Sequence, residues 1–206
     1  IGFGACLYNL PDGNWTFGRM MLYTIECEWQ EEPDPSKPNW ASLVSSRKFD
    51  SYYSFSDDGG YTFSEKILLS DPNKRNDFAQ GSIIELPNGD LLWPWGWWGE
   101  KPLNGFRRST DGGKTWGAVE RAWQDPPPGY EKPITFNETA AAVCKDGSII
   151  TVARVDGFAD NDKRFWQIQS KDNGKTWTVP RQIEIIGGSP AMYCTKQGQL
   201  WLAYRD

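Results

Sequence analysis

A short pattern, Ser-x-Asp-x-Gly-x-Thr-aromatic, occurs three times in 206 residues: SDDGGYTF from Ser56, STDGGKTW from Ser109 and SKDNGKTW from Ser170. The starts lie 53 and 61 residues apart, so the chain is built from a repeated unit. Every position has a local reason. In a tight turn Ser and Asp side chains bond to nearby backbone groups, Gly takes a positive φ, and the aromatic residue is expected to pack inward. A phosphate-cradling loop would need a following helix and a Lys beside Ser or Thr. A calcium loop would need more carboxylates than each copy carries. The pattern therefore reads as architecture.

A second element alternates with the first: LPDG ending at Gly13, LPNG at Gly89, CKDG at Gly147 and TKQG at Gly198. Each sits between apolar runs, as GSIIE and DLLWPW flank the second copy, and reads as a β-hairpin turn with Gly left-handed in a three-residue loop. Two hairpins per period make a four-stranded antiparallel unit in roughly 50 to 60 residues, the signature of a β-propeller blade. The fold class expected is thus an all-β β-propeller, with one partial propeller domain over residues 1–206. Its blades are expected at about 4–75, 80–125, 136–186 and, incomplete, 187–206. Three and a half blades cannot close a ring, so the chain reads as a piece of a longer one.

Composition removes several function classes. With 12 Trp, 10 Phe, 8 Tyr, 21 Gly and 14 Pro, and no apolar run near the ~20 residues that cross a bilayer, the makeup is that of a turn-rich β protein with no membrane span in this segment. A formal net charge of −5 with scattered basic residues gives no footprint for nucleic acid. Histidine is absent, which removes Ser-His-Asp and Cys-His nucleophile systems and His-ligated metals. Chemistry within this segment must come from carboxylates, Tyr, Arg or Lys. Cys6, Cys27, Cys144 and Cys194 show neither CxxC spacing nor the density of a disulfide scaffold, and leave the compartment open.

The hairpin NETAAAVCKDGSIITVAR, Asn137 to Arg154, is where chemistry can sit. A three-residue Lys145–Gly147 loop faces Cys144 to Ser148 and, counting outward, Glu138 to Arg154; a two-residue turn would put them on opposite faces. Both residues then lie at the end of the blade away from the Ser-x-Asp turns, beside the proline-rich stretch DPPPGYEKP. Arg205 lies 51 residues after Arg154, as Gly198 does after Gly147, while the matching position of the LPNG hairpin is Gly96. An arginine pair aimed at one point makes a carboxylate site. The bland reading is a cross-strand ion pair for Glu138 and Arg154 and a rim charge for Arg205. The tryptophans of WPWGWWGE, residues 93–100, could stack on sugar rings, but on such strands they are ordinarily core.

The Ser-x-Asp turns have the form of the Asp box, the bacterial neuraminidase repeat, and with the alternating DG hairpins the chain resembles the sialidase superfamily, whose catalytic domain is a six-bladed propeller. In that family three arginines clamp the sialic acid carboxylate, a tyrosine paired with a glutamate attacks the anomeric centre, and an aspartate is the acid/base. The stretch from Glu138 to Arg154 is similar to the segment that carries the glutamate and second arginine. The resemblance implies Glu138 as the base drawing the proton from the tyrosine, Arg154 as second clamp arginine and Arg205 as the third. It places the first arginine and the aspartate before Ile1 and the tyrosine beyond Asp206. Tyr204 alternates with Arg205 along the strand and is not assigned that role. The implied activity is a retaining exo-α-sialidase on sialylated glycans that needs no metal or organic cofactor, and its substrate class favours a secreted, periplasmic or cell-surface location. The alternatives are a hydrolase or lyase on another acidic glycan, and a non-catalytic propeller that binds carbohydrate or protein.

Overall fold

Gly-containing turns set the frame. The computed structural model describes residues 2–9, 20–29, 47–71, 76–97, 103–131, 134–156 and 164–206, and among these it holds fifteen strands and no helix. Three DG-type hairpins close in the same way. Leu86 N–H donates to Asp90 O at 2.8 Å and Gly89 N–H to Leu86 O at 2.9 Å; Cys144 pairs with Ser148 and Thr195 with Gln199 by matching bonds. Each loop is therefore three residues long, with Gly89, Gly147 and Gly198 at φ 84°, 81° and 91°, where a side chain would be strained. The LPDG hairpin at Gly13 lies outside the described residues.

Two compact units divide the chain, residues 1–78 with 97–99, and residues 79–96 with 100–206. In the first, β1 (Gly2–Asn9), β2 (Met20–Trp29), β3 (Arg47–Ser56) and β4 (Ile67–Leu68) form an antiparallel sheet in sequence order. The β2–β3 ladder is regular over ten pairs, from Met20↔Ser56 to Trp29↔Arg47, and buries Met21, Tyr23, Phe49, Tyr53 and Phe55. Tyr23 keeps its hydroxyl in this interior by bonding Ser51 Oγ at 3.0 Å, as a buried phenol requires.

β5 (Asp77–Ala79) lies where the chain passes from one unit to the other. In the second unit, β6 (Ile84–Glu85) pairs with β7 (Leu91–Trp97), and β8 (Leu103–Ser109) and β9 (Glu120–Arg121) follow in order. Then β10 (Thr135–Val143), β11 (Ile149–Asp156), β12 (Arg164–Ser170) and β13 (Arg181–Ile186) make a four-stranded meander, and β14 (Gly188–Cys194) with β15 (Leu200–Arg205) a final hairpin. One apolar cluster, including Leu92, Phe106, Trp123, Phe136, Ile149, Trp166 and Ile168, fills the interior of this unit. Trp123 stacks on Phe136 at 4.3 Å and Phe106 on Trp177 at 4.9 Å. Trp93 and Trp95 are fully buried and meet edge to face at 5.0 Å, with the Arg107 guanidinium 4.7 Å over Trp95. These two belong to the core, not to a sugar platform.

The three Ser-x-Asp turns share one bonding scheme. The serine hydroxyl donates to the aspartate Oδ1 at 2.7, 2.8 and 2.8 Å in the copies at Ser56, Ser109 and Ser170. It also accepts from the N–H of Gly60, Gly113 and Gly174 at 2.8, 2.8 and 2.9 Å. The threonine hydroxyl donates to Oδ2 at 2.6 Å in all three. Two consecutive left-handed residues make this possible, Gly59–Gly60, Gly112–Gly113 and Asn173–Gly174, and Asn is the non-Gly residue best suited to that conformation. The aromatic position is less uniform than expected: Trp116 packs on Trp93 at 5.1 Å and Trp177 on Phe106, but Phe63 is 36% exposed.

These donors hold the carboxyls of Asp111 and Asp172 at about 2, below the ordinary 3.8, and Asp58 lower still, with the Thr hydroxyl as the largest cause each time. A carboxyl depressed by folding stabilises above its unfolded pKa and loses that contribution as pH falls toward the folded one. Asp111→Ala is therefore expected to lower Tm by a few degrees at neutral pH, the loss of about 1 kcal/mol of turn hydrogen bonds, and to narrow its deficit between pH 4 and 2. Calorimetry across that range checks both.

Candidate active site

At the far end of the β10–β11 ladder from the Lys145–Gly147 loop, regular pairing stops. Val143↔Ile149 through Thr139↔Ala153 are in step, but the next pair is Asn137↔Arg154, and Glu138 is the extra residue of a β-bulge. The expectation that Glu138 sits directly opposite Arg154 is corrected accordingly. The three-residue loop gives the expected register up to Thr139, and one inserted residue then shifts it. The bulge has a local cause. Glu138 stands at φ 38°, and its N–H, withdrawn from the ladder, is satisfied by the Asn137 side-chain oxygen at 2.8 Å. A positive φ on a residue with a long side chain costs of order 1–3 kcal/mol and recurs where geometry serves a site.

The same device recurs in the next hairpin. Gly188 pairs with Arg205, register breaks before Ala191, and Ser189 stands at φ 49°. Ser189 lies nine residues before Gly198, as Glu138 does before Gly147, so the two bulges occupy one height in successive repeats. They touch: the Ser189 N–H donates to Glu138 Oε2 at 2.7 Å.

The bulges bring the sequence-singled residues together. Arg154 Nε lies 3.0 Å from Glu138 Oε2, with the two side chains 26% and 32% exposed, an ion pair by distance without a hydrogen bond's alignment at that nitrogen. The Gly188 backbone is the point on which all three converge. A Cβ placed there would lie 3.4 Å from Arg205 Nη2, 3.6 Å from Arg154 Cδ and 3.6 Å from Glu138 Oε2. Gly188 is buried and Arg205 exposed, so the arrangement is a part-exposed cluster of two arginines and one carboxylate. Such a cluster has the groups to hold an anion on the arginines while the carboxylate accepts a proton. Tyr204 turns away from it, as alternation requires, and meets Phe165 edge to face at 5.8 Å.

Gly188 and Ser189 were not legible as site residues, although the signal existed: counting nine residues back from each turn glycine aligns Gln80, Glu138 and Ser189. The proline-rich stretch is tied to the start of β10 by Asp125, whose Oδ1 accepts from Ile134 N–H at 2.7 Å; burial pushes its carboxyl up. Cys144 and Cys194 are free thiols, and burial above all pushes the Cys144 thiol up. Among the described residues no group of three Cys, Asp or Glu is placed to hold a metal ion, and no helix is long and apolar enough to cross a membrane.

Solved structures share this fold at low identity. A protein of unknown function from Dyadobacter fermentans DSM 18053 superposes with a TM-score of 0.75 at 21% identity, over 98% of this chain and 56% of its own. The K499G mutant of NanB sialidase from Streptococcus pneumoniae gives 0.59 at 11% identity, over 94% and 42%. An ulvan lyase of polysaccharide lyase family PL25, bound to -[GlcA(1-4)Rha3S]-, gives 0.52 at 11%, over 95% and 49%. The chain thus spans about half the length of these structures, and its all-β architecture is that of part of a β-propeller. No curated protein matches. The repeat family decides the affiliation: its model, described as BNR repeat-like domain, matches residues 5–206, and the chain belongs to that family.

Proposed function

We propose that the complete protein is a glycan-cleaving enzyme acting on terminal sialic acid with retention, in which Arg154 and Arg205 hold the substrate carboxylate and Glu138 is the base. What supports this reading is the convergence of those three side chains on Gly188, together with the family affiliation and the resemblance of the Glu138–Arg154 segment to sialidases. The chemistry is consistent. An anionic nucleophile would be repelled by the substrate's own carboxylate, whereas a neutral phenol is not, until a carboxylate takes its proton as the bond to the anomeric carbon forms and the glycosidic C–O bond breaks, the aglycone leaving with a proton from the acid/base aspartate that the resemblance implies. Glu138 lies beside the Arg154 guanidinium and accepts from the Ser189 N–H, two contacts that hold its carboxylate in place.

The test is release of product from a fluorogenic α-sialoside by the complete protein, with the first-formed anomer read by NMR. Turnover with the α-anomer released first supports the reading, and no turnover from folded protein overturns it. Arg154→Met is expected to lower kcat/KM by about 10- to 100-fold, the worth of a charge-assisted pair to the carboxylate, with Tm nearly unchanged because the side chain is part exposed. Steady-state kinetics on the same substrate checks this.

A second reading has its own support. Two arginines and a carboxylate also suit a hydrolase or lyase on a uronic acid glycan, and the ulvan lyase of similar fold is described with a glucuronic acid repeat bound. Cleavage of a uronate polymer with no sialoside turnover would favour it. Saturable glycan binding without any turnover would favour a binding propeller.

A further inference from the structure

Gln80 stands nine residues before Gly89, the repeat position that Glu138 and Ser189 occupy in the next two hairpins. Its side chain reaches across to the Glu138 bulge. Gln80 Nε2 donates to Phe136 O at 3.3 Å and to Asn104 Oδ1 at 3.0 Å, and Gln80 Oε1 accepts from Thr139 Oγ1 at 3.1 Å. Phe136, Asn104 and Thr139 are each buried to within 3% of complete. One amide thus grips the chain on both sides of the Asn137–Glu138 step.

Space for this grip comes from two glycines. Gly96 occupies the position that Arg154 and Arg205 hold in the later hairpins, and a Cβ there would lie 2.1 Å from Gln80 Nε2. A Cβ on Gly81 would lie 1.9 Å from Thr139 O, so the segment that follows β5 and carries Gln80 runs against the exit of the bulge. The slot used for a guanidinium in two repeats is given over in this one to an amide.

We propose that Gln80 is a positioning residue for the candidate site: it fixes the Asn137–Glu138 bulge, and through it the direction of the Glu138 carboxylate toward Ser189 N–H and Arg154. Its catalytic consequence rests on the reading of Glu138 as the base. The physical logic is that a strained φ at Glu138 persists only where its surroundings over-determine it. Phe136 O, Thr139 Oγ1 and Asn137 Oδ1 are the polar anchors on the strand, and Gln80 holds two of them.

The experiment uses Gln80→Met, close in shape without the hydrogen bonds, and Thr139→Val, which removes the bond to Gln80 Oε1 and leaves the two bonds from Gln80 Nε2 in place. In the complete protein, amide hydrogen exchange at Glu138 and Ser189 is expected to accelerate about tenfold in Gln80→Met and less in Thr139→Val, the scale of one or two lost hydrogen bonds. The turn amides of Gly113 and Gly174 should hold their rates. On a fluorogenic α-sialoside, kcat should fall about 10- to 100-fold with KM moving less than about threefold, because misdirecting a base costs turnover more than binding. Unchanged exchange at Glu138 and Ser189, or equal acceleration of all four amides, would overturn the proposal. If the unmutated protein turns over no sialoside, the functional reading falls, while the exchange pattern still decides the role of Gln80.

Discussion

Glu138→Gln in the complete protein is expected to lower kcat by about a thousandfold, within the range a positioned general base contributes, while Tm stays within a few degrees. Glutamine keeps the shape of the side chain, and its oxygen still accepts from Ser189 N–H, the 2.7 Å bond that ties the two bulges. What it loses is basicity and the ionic partner of Arg154. The half-open setting of both side chains keeps the structural cost small, since pairs of this exposure contribute about 1 kcal/mol or less. Kinetics on a fluorogenic α-sialoside alongside a thermal melt separates the two effects. Near-normal kcat would remove Glu138 from the mechanism; a collapse of Tm would make it a structural residue.

Gly105→Ala is expected to be the most destabilising of the variants considered, lowering Tm by roughly 6–12 °C. Gly105 lies in β8 opposite Arg121 of β9, and a Cβ there would sit 1.9 Å from Glu120 O, 2.8 Å from Glu120 C and 3.0 Å from Ala122 N. All three are backbone atoms, which cannot swing aside as a side-chain tip would. Relief requires β8 and β9 to part, next to the buried Phe106 and Trp123, at a cost of about 3 kcal/mol that converts at ~2–4 °C per kcal/mol in a domain of this size. Differential scanning calorimetry reads it directly. A Tm loss under about 2 °C would contradict the close approach of the two strands.

What was legible in the sequence follows physical periodicity. The Ser-x-Asp turns announce themselves because three side chains and two left-handed residues must coincide. The DG turns likewise fix a three-residue loop, and from Gly147 the register can be counted correctly through Thr139. Counting fails at Glu138, because a bulge depends on which neighbour satisfies the displaced N–H. Here that is the Asn137 side chain, one of many places where an Asn could have bonded elsewhere. Gly188 was invisible for a related reason: its contribution is the absence of a side chain among three charged ones, and a sequence does not display empty space. Gln80 reads as an ordinary polar residue until Gly96 is seen to leave it room.

The Phe63 ring shows the same limit from the other side. It satisfies the repeat pattern, yet it is 36% exposed while Trp116 and Trp177 find aromatic partners. The turn specifies its own hydrogen bonds; the aromatic position depends on what the neighbouring strand offers. Asp58, Asp111 and Asp172 are accordingly alike in their bonds from the Ser and Thr hydroxyls, whereas the rings that follow them are not.

Recognition of a carboxylate at Gly188 is the claim on which both enzymatic readings stand, and titration calorimetry of the complete protein with sialic acid and with its methyl ester tests it most directly. The ester is expected to bind at least about tenfold more weakly, the least that losing charge-assisted bonds to Arg154 and Arg205 should cost, and Arg154→Met is expected to narrow the difference. Equal affinity for acid and ester, from a protein that binds either, would contradict it and leave Glu138, Arg154 and Arg205 as a structural ion cluster.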